Sequence, residues 1–87
     1  MRLHFTYIDN LGNETVRSVR DIKILNYALI IGFCELRQQE RTFYIGGIFR
    51  PFDLEKNEPI YDLLDFLGLT DDDGEFKEEY MFDLDED

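Results

Sequence analysis

Eighty-seven residues, 44% of them apolar and 15% aromatic, suffice for one small packed domain and exclude wholesale disorder. Twenty Asp+Glu against nine Lys+Arg give a formal net charge of −11, which repels free nucleic acid at long range. No apolar run approaches the ~20 residues of a membrane span, the N-terminus lacks the basic and apolar regions of a signal peptide, and the single Cys34 cannot form an internal disulfide; a soluble cytoplasmic protein without a membrane partner is expected.

The elements follow in chain order. Arg2 to Ile8 alternates, with Leu3, Phe5 and Tyr7 on one face, and predicts a strand with one buried side. Asp9 to Asn13 is dense in turn residues and closes a hairpin. Glu14 to Leu25 is a second strand in which Thr15, Arg17 and Val19 share a face; neither face is cleanly apolar, so a bulge is expected near Arg20 and Asp21. Ala28 to Leu36 reads as a central strand, Gln38 to Glu40 as a tight connection, and Arg41 to Ile45 as the strand that pairs back. Gly46 and Gly47 permit a bend before a short fifth strand at Ile48 and Phe49.

Beyond Arg50 the chemistry changes, because residues 1–50 carry a net +2 and residues 51–87 a net −13. Glu58-Pro59 predicts a helix start, Ile60, Leu63, Leu64 and Leu67 form an apolar stripe, and Gly68 ends the helix. The stripe is expected to pack on an open end of the sheet. Residues 1–50 are thus read as a β-domain, 51–69 as a linker and helix, and 70–87 as an acidic tail. Asp71-Asp72-Asp73-Gly74-Glu75 suggests a calcium loop, but aligning Gly74 to the sixth position of an EF-hand puts Leu69 first and Tyr80 twelfth, where oxygen ligands are needed. A solvated acidic turn is the better account. Tyr80, Met81, Phe82 and Leu84 among acids suit a segment that docks on a basic or apolar partner, and equally one whose aromatics cover the sheet.

Arg37 and Arg41 stand four apart at the connection between two predicted strands, with Arg17 on a neighbouring one. A guanidinium is always charged and presents a planar fork of donors that matches phosphate or carboxylate. Two readings stay open at this point. The arginines pair with Glu35, Glu40, Asp21 or the acidic tail, or they form a basic patch on which Phe43, Tyr44 and Tyr27 stack the bases of a single strand.

Tyr7-Ile-Asp-Asn-Leu-Gly12, Thr15-Val-Arg17, Gly32-Phe-Cys-Glu-Leu-Arg37, Arg41-Thr-Phe43 and Ile48 together resemble the core of the WYL domain. The resemblance covers Leu3 to Ile48, about half the chain, and is most specific in Cys-x-Leu-Arg-x-x-x-Arg-Thr-Phe. It implies a small Sm/SH3-like barrel of four to five strands that binds a ligand, often a nucleotide or nucleic acid, as such modules do in bacterial regulators and defence-linked proteins. This chain departs from the pattern at Ala28-Leu29-Ile30, where the family has Trp-Tyr-Leu, and at Asp21, Glu35 and Gly47. The frame is kept while part of the ligand face is changed.

Signals for catalysis are few. Cys34 and His4 are the only cysteine and histidine, and Cys34 lies in the most apolar run, where cysteine usually acts as a small hydrophobe. One Cys and one His do not supply a tetrahedral zinc site, and Gly46-Gly47 is not followed by the lysine of a phosphate loop. The expectation is therefore a non-enzymatic module, without cofactor or metal, whose Arg17, Arg37, Arg41, Phe43, Tyr44 and Tyr27 bind a nucleotide or single-stranded nucleic acid. A second expectation is an acidic interaction factor, a nucleic-acid mimic or inhibitor encoded by a mobile element, whose Asp71, Asp72, Asp73, Tyr80 and Phe82 engage a basic protein. A third has the acidic segment lying over the arginines as an internal competitor that ligand displaces.

Overall fold

The computed structural model describes residues 1–81, and Phe82, the last of the expected partner-binding residues, lies outside them. Six strands, β1 (Arg2–Ile8), β2 (Glu14–Ile24), β3 (Leu29–Cys34), β4 (Gln39–Tyr44), β5 (Ile48–Asp53) and β6 (Glu58–Pro59), build one antiparallel sheet in the order β4-β3-β2-β1-β5-β6. The fold is mainly β and barrel-like, but the sheet is not closed, and β4 and β6 remain its edges. No helix among the described residues is long and apolar enough to cross a membrane.

Alternation sets the inner face. Leu3, Phe5 and Tyr7 pair with Val19, Arg17 and Thr15 on β2, and the same face continues through Ile30 and Cys34 on β3 and Phe43 on β4. Phe43 packs edge-on against Phe5 and Tyr7, with ring centroids 5.4 and 5.0 Å away. Tyr7 also reaches across the core, where its hydroxyl accepts the N–H of Tyr44 at 3.0 Å and ties edge strand β4 to β1. The expected bulge in β2 is present: its register with β3 shifts between Arg20 and Lys23, and Asp21 has φ 52°.

The bend after β4 is a single 3₁₀ turn, Ile45–Gly47. Its glycine is sterically required, since a Cβ at Gly47 would come within 2.6 Å of the Ile8 carbonyl and 2.9 Å of the Tyr7 ring. Without a side chain, Gly47 lets the chain pass close over β1 and enter β5.

Two expectations are corrected here. Glu58-Pro59 does not open a helix; it forms β6, pairing with Asp53 and Phe52. Proline costs no ladder bond on an edge strand, so the residue that signals a helix start serves a strand end equally well. The helix, α1 (Leu63–Phe66), is one turn long and begins at Asp62, whose carboxylate accepts the Asp65 N–H. Its C-terminus is as expected: Gly68, at φ 77°, donates to Asp65 and Leu69 to Leu64, a Schellman closure. Leu67 and Leu69 enter the core, with Leu63, Leu64 and Phe66 packed against it.

The segment from Thr70 to Met81 folds back on itself and is tied to the domain at Leu69 and Tyr27. Thr70 bridges Phe76 around the acidic turn, Lys77 donates to Leu69, and the Tyr27 N–H donates to Tyr80, whose ring packs on the core. The turn is a structural one. Asp71 accepts the N–H groups of Asp73 and Glu75, and Gly74 has φ 82°. Asp9 does the same for Leu11 and Asn13, with Gly12 at φ 84°. One five-residue turn, Asp-x-x-Gly-x, is thus used twice, in Asp9–Asn13 and Asp71–Glu75.

Candidate functional site

Arg17 is placed by strand register on the inner face opposite Phe5, with only 7% of its surface exposed. Its Nε donates to Thr15 Oγ1 at 3.0 Å and its Nη1 to Cys34 Sγ at 3.5 Å. Cys34 is fully buried at the end of β3, where the chain turns through Glu35 to Gln38 into β4. Burial pushes the Cys34 thiol up, but the Arg37 N–H, the Arg17 guanidinium and the Leu36 N–H outweigh it and hold the thiol below its ordinary range. The sulfur therefore lies beneath the same turn that carries Arg37, with Arg17 alongside it.

Arg37 belongs to that turn rather than to a strand, and it is exposed. Arg41 lies on β4, paired with Gly32 two positions from Gln39, which pairs with Cys34. Arg17, Arg37 and Arg41 are in this way gathered at the β3–β4 end of the sheet. Pairing with Glu35, Glu40, Asp21 or the described part of the acidic tail is not seen: among the described residues no carboxylate stands within 4.0 Å of any of the three. Glu35 is taken by Arg2, through two hydrogen bonds of 3.0 Å. Asp21 lies 4.0 Å from Arg20, whose guanidinium covers the Phe33 ring at 4.6 Å.

The aromatic part of the expected site is not assembled with the arginines. Phe43 is in the core, 2% exposed, and its rings of contact are Phe5 and Tyr7. Tyr44 pairs with Leu29, at the far end of β3 from Cys34, and its side chain is on the outer face. Tyr27 precedes β3 at that same far end and stacks edge-on with Phe76 at 5.9 Å. Six residues of strand separate the two ends, roughly 17–20 Å. Tyr80 docks at the Tyr27 end as well, so the described part of the acidic segment does not cover the arginines. Asp71, Asp72 and Asp73 are exposed, with the Asp71 carboxylate engaged by the turn.

His4 and Cys34 do not meet. β2 lies between their strands, and His4 is on the outer face, sharing a 3.0 Å hydrogen bond with Ser18. Among the described residues no three His, Cys, Asp or Glu side chains converge as a metal site would require. The participants that sequence reasoning did not assign are Thr15 and Cys34. Alternation already put Thr15 with Arg17; Cys34 needed the register between strands. Comparison of the chain with protein-family models, with curated proteins and with solved structures finds no match.

Proposed function

We propose that the protein is a non-enzymatic, WYL-like binding module whose Arg17, Arg37 and Arg41 take the phosphate of a nucleotide or of a short single strand. The observation that carries this reading is the buried Arg17. In a chain with twenty acidic residues, its guanidinium has only a hydroxyl and a thiol as partners and no carboxylate within 4.0 Å among the described residues. A buried charge without a counter-charge is costly, and an anionic ligand supplies one. Arg37 and Arg41, exposed at the same end, extend the cationic surface outwards, and a planar guanidinium suits phosphate oxygens. Because Phe43, Tyr44 and Tyr27 lie elsewhere, the support is for a phosphate contact rather than for base stacking.

The test is fluorescence anisotropy of a labelled short single-stranded DNA titrated with the full chain at low and moderate salt. Saturable binding that weakens roughly tenfold between 50 and 200 mM salt fits two to three neutralised phosphates. Loss of that binding in the Arg37→Ala/Arg41→Ala double variant supports the reading; binding that ignores the substitution rejects it. A chain ending at Thr70 tests the internal competitor, which predicts tighter binding once the acidic tail is gone.

A further inference from the structure

We propose that a recess on the outer face of the sheet, over β1 and between β2 and β5, binds an apolar α-amino acid as its zwitterion. The recess, of about 170 Å³, is lined by Thr6, Ile8, Glu14, Phe49 and Arg50. Drug-sized ligands occupy pockets of about 300–1,000 Å³, so this one has the size for a single amino acid. It lies on the opposite face of the sheet from Arg17 and is independent of the phosphate reading.

Strand register lays the recess out. β1 supplies the floor through Thr6 and Ile8, both half-buried on the outer face. Glu14 stands on the β2 side, paired with Ile8, and Phe49 on the β5 side, paired with Thr6. Two strand spacings, about 10 Å of backbone, therefore separate Glu14 from Phe49 and Arg50. Val16 and Phe49, 57% and 46% exposed, flank Thr6 from its two sides and leave apolar surface open to a ligand.

Arg50 is the observation that makes this recess a site. His4 pairs with Phe52 and Thr6 with Phe49, so Arg50 and Pro51 both stand opposite Phe5 in a β-bulge. Strict alternation after the outward Phe49 would turn Arg50 inwards, towards the buried Phe5. Instead Arg50 adopts φ 53°, a left-handed conformation that residues other than glycine seldom take, and it lines the outer recess, exposed. Bulges re-aim side chains in this way beside binding sites. Arg50 and Glu14 line one recess without meeting: no ion pair within 4.0 Å joins them, and among the described residues neither has another partner of opposite charge.

The ligand follows from the three kinds of lining. The guanidinium fork of Arg50 matches a carboxylate, Glu14 accepts from an ammonium group, and the apolar surface between them takes an aliphatic side chain. A free apolar α-amino acid carries all three in one small molecule. A peptide C-terminus lacks the ammonium, a peptide N-terminus lacks the carboxylate, and a phosphate would face the repulsion of Glu14.

The experiment is amide chemical-shift mapping of the full chain titrated with leucine, N-acetyl-leucine, leucinamide and free glycine, each against sodium chloride at equal ionic strength. Saturable shifts from leucine centred on Thr6, Ile8, Glu14, Phe49 and Arg50 are expected. Removing either charge of the ligand should weaken binding about tenfold, the worth of one charge-assisted hydrogen bond, and free glycine should bind severalfold more weakly than leucine. Glu14→Gln, at an exposed strand end, should cost about tenfold as well. Arg50→Gly should cost at least as much while leaving urea-unfolding stability unchanged or higher, because a glycine residue takes φ 53° without strain. Shifts no greater than those from sodium chloride, shifts centred on Arg37 and Arg41, or an affinity that ignores both substitutions would overturn the site. N-acetyl-leucine binding as tightly as leucine removes the ammonium contact, leucinamide binding as tightly removes the carboxylate contact, and either result rejects the zwitterion. A loss of stability in Arg50→Gly would assign the arginine to the fold rather than to a ligand.

Discussion

At the β3–β4 end, Arg17, Arg37 and Arg41 have no carboxylate within 4.0 Å among the described residues, whereas in the second half Asp53, Asp62 and Asp71 are each held by backbone N–H groups. The two regions carry opposite charge in the sequence, and among the described residues the acids of the second half do not pair with these three arginines. The difference lies in range. A carboxylate meets an N–H two to four residues away through a local turn, which needs no tertiary contact. The strand arginines depend on register for their neighbours across the sheet, and register sets Arg17 against Phe5 and Arg41 against Gly32. Asp53, Asp62 and Asp71 build turns, whereas Arg17, Arg37 and Arg41 are without a carboxylate partner among the described residues.

The comparison can be broken most severely at Phe43. As a core residue it belongs to the scaffold beneath the arginines, so Phe43→Ala should destabilise the chain by about 3–5 kcal/mol in urea unfolding. A small loss there would return Phe43 to the ligand surface. Next comes Arg17→Met, which removes the buried charge but keeps most of the volume. Stability should hold or rise by about 1 kcal/mol, while oligonucleotide binding falls at least tenfold. A loss of about 3–5 kcal/mol would instead mean that Arg17 already has a counter-charge. The same variant should raise the Cys34 pKa, read as thiolate absorbance, because it deletes the guanidinium beside the sulfur.

Arg37→Ala and Arg41→Ala sharpen the contrast from the exposed side. Each should change stability by less than about 0.5 kcal/mol while weakening binding severalfold. The smallest effect is expected at an acid-held turn. The N–H groups of Asn13 and Leu11 hold the Asp9 carboxyl below its usual range. Its folded value is therefore lower than its unfolded one, so its contribution is complete above about pH 3.9 and is lost as pH falls through the folded value. Asp9→Asn should flatten that acid limb of the stability curve.

Much of the frame was legible in the sequence because alternation is local. β1 at Arg2–Ile8, the Asp9–Asn13 turn, the bulge at Asp21 and the closing Gly68 each follow from neighbouring residues. β6 was not, since Pro59 is compatible with a helix start and with an edge strand, and only pairing with Phe52 decides. The site divides in the same way. That Arg37 and Arg41 share one end follows from a hairpin read locally. That Phe43 points inwards while Tyr44 points outwards follows from period two, but which face is inner was settled by Phe5 and Tyr7, far away in sequence. The contact of Arg17 with Cys34 spans seventeen positions and depends on the β2–β3 register.

The most direct test of the central claim is amide chemical-shift mapping of the full chain titrated with a nucleoside diphosphate. The account predicts saturable shifts at Arg17, Leu36, Arg37, Gln39 and Arg41, with Tyr27 and Tyr44 silent. Shifts centred on Tyr27 and Tyr44, or none beyond those produced by salt, would contradict it.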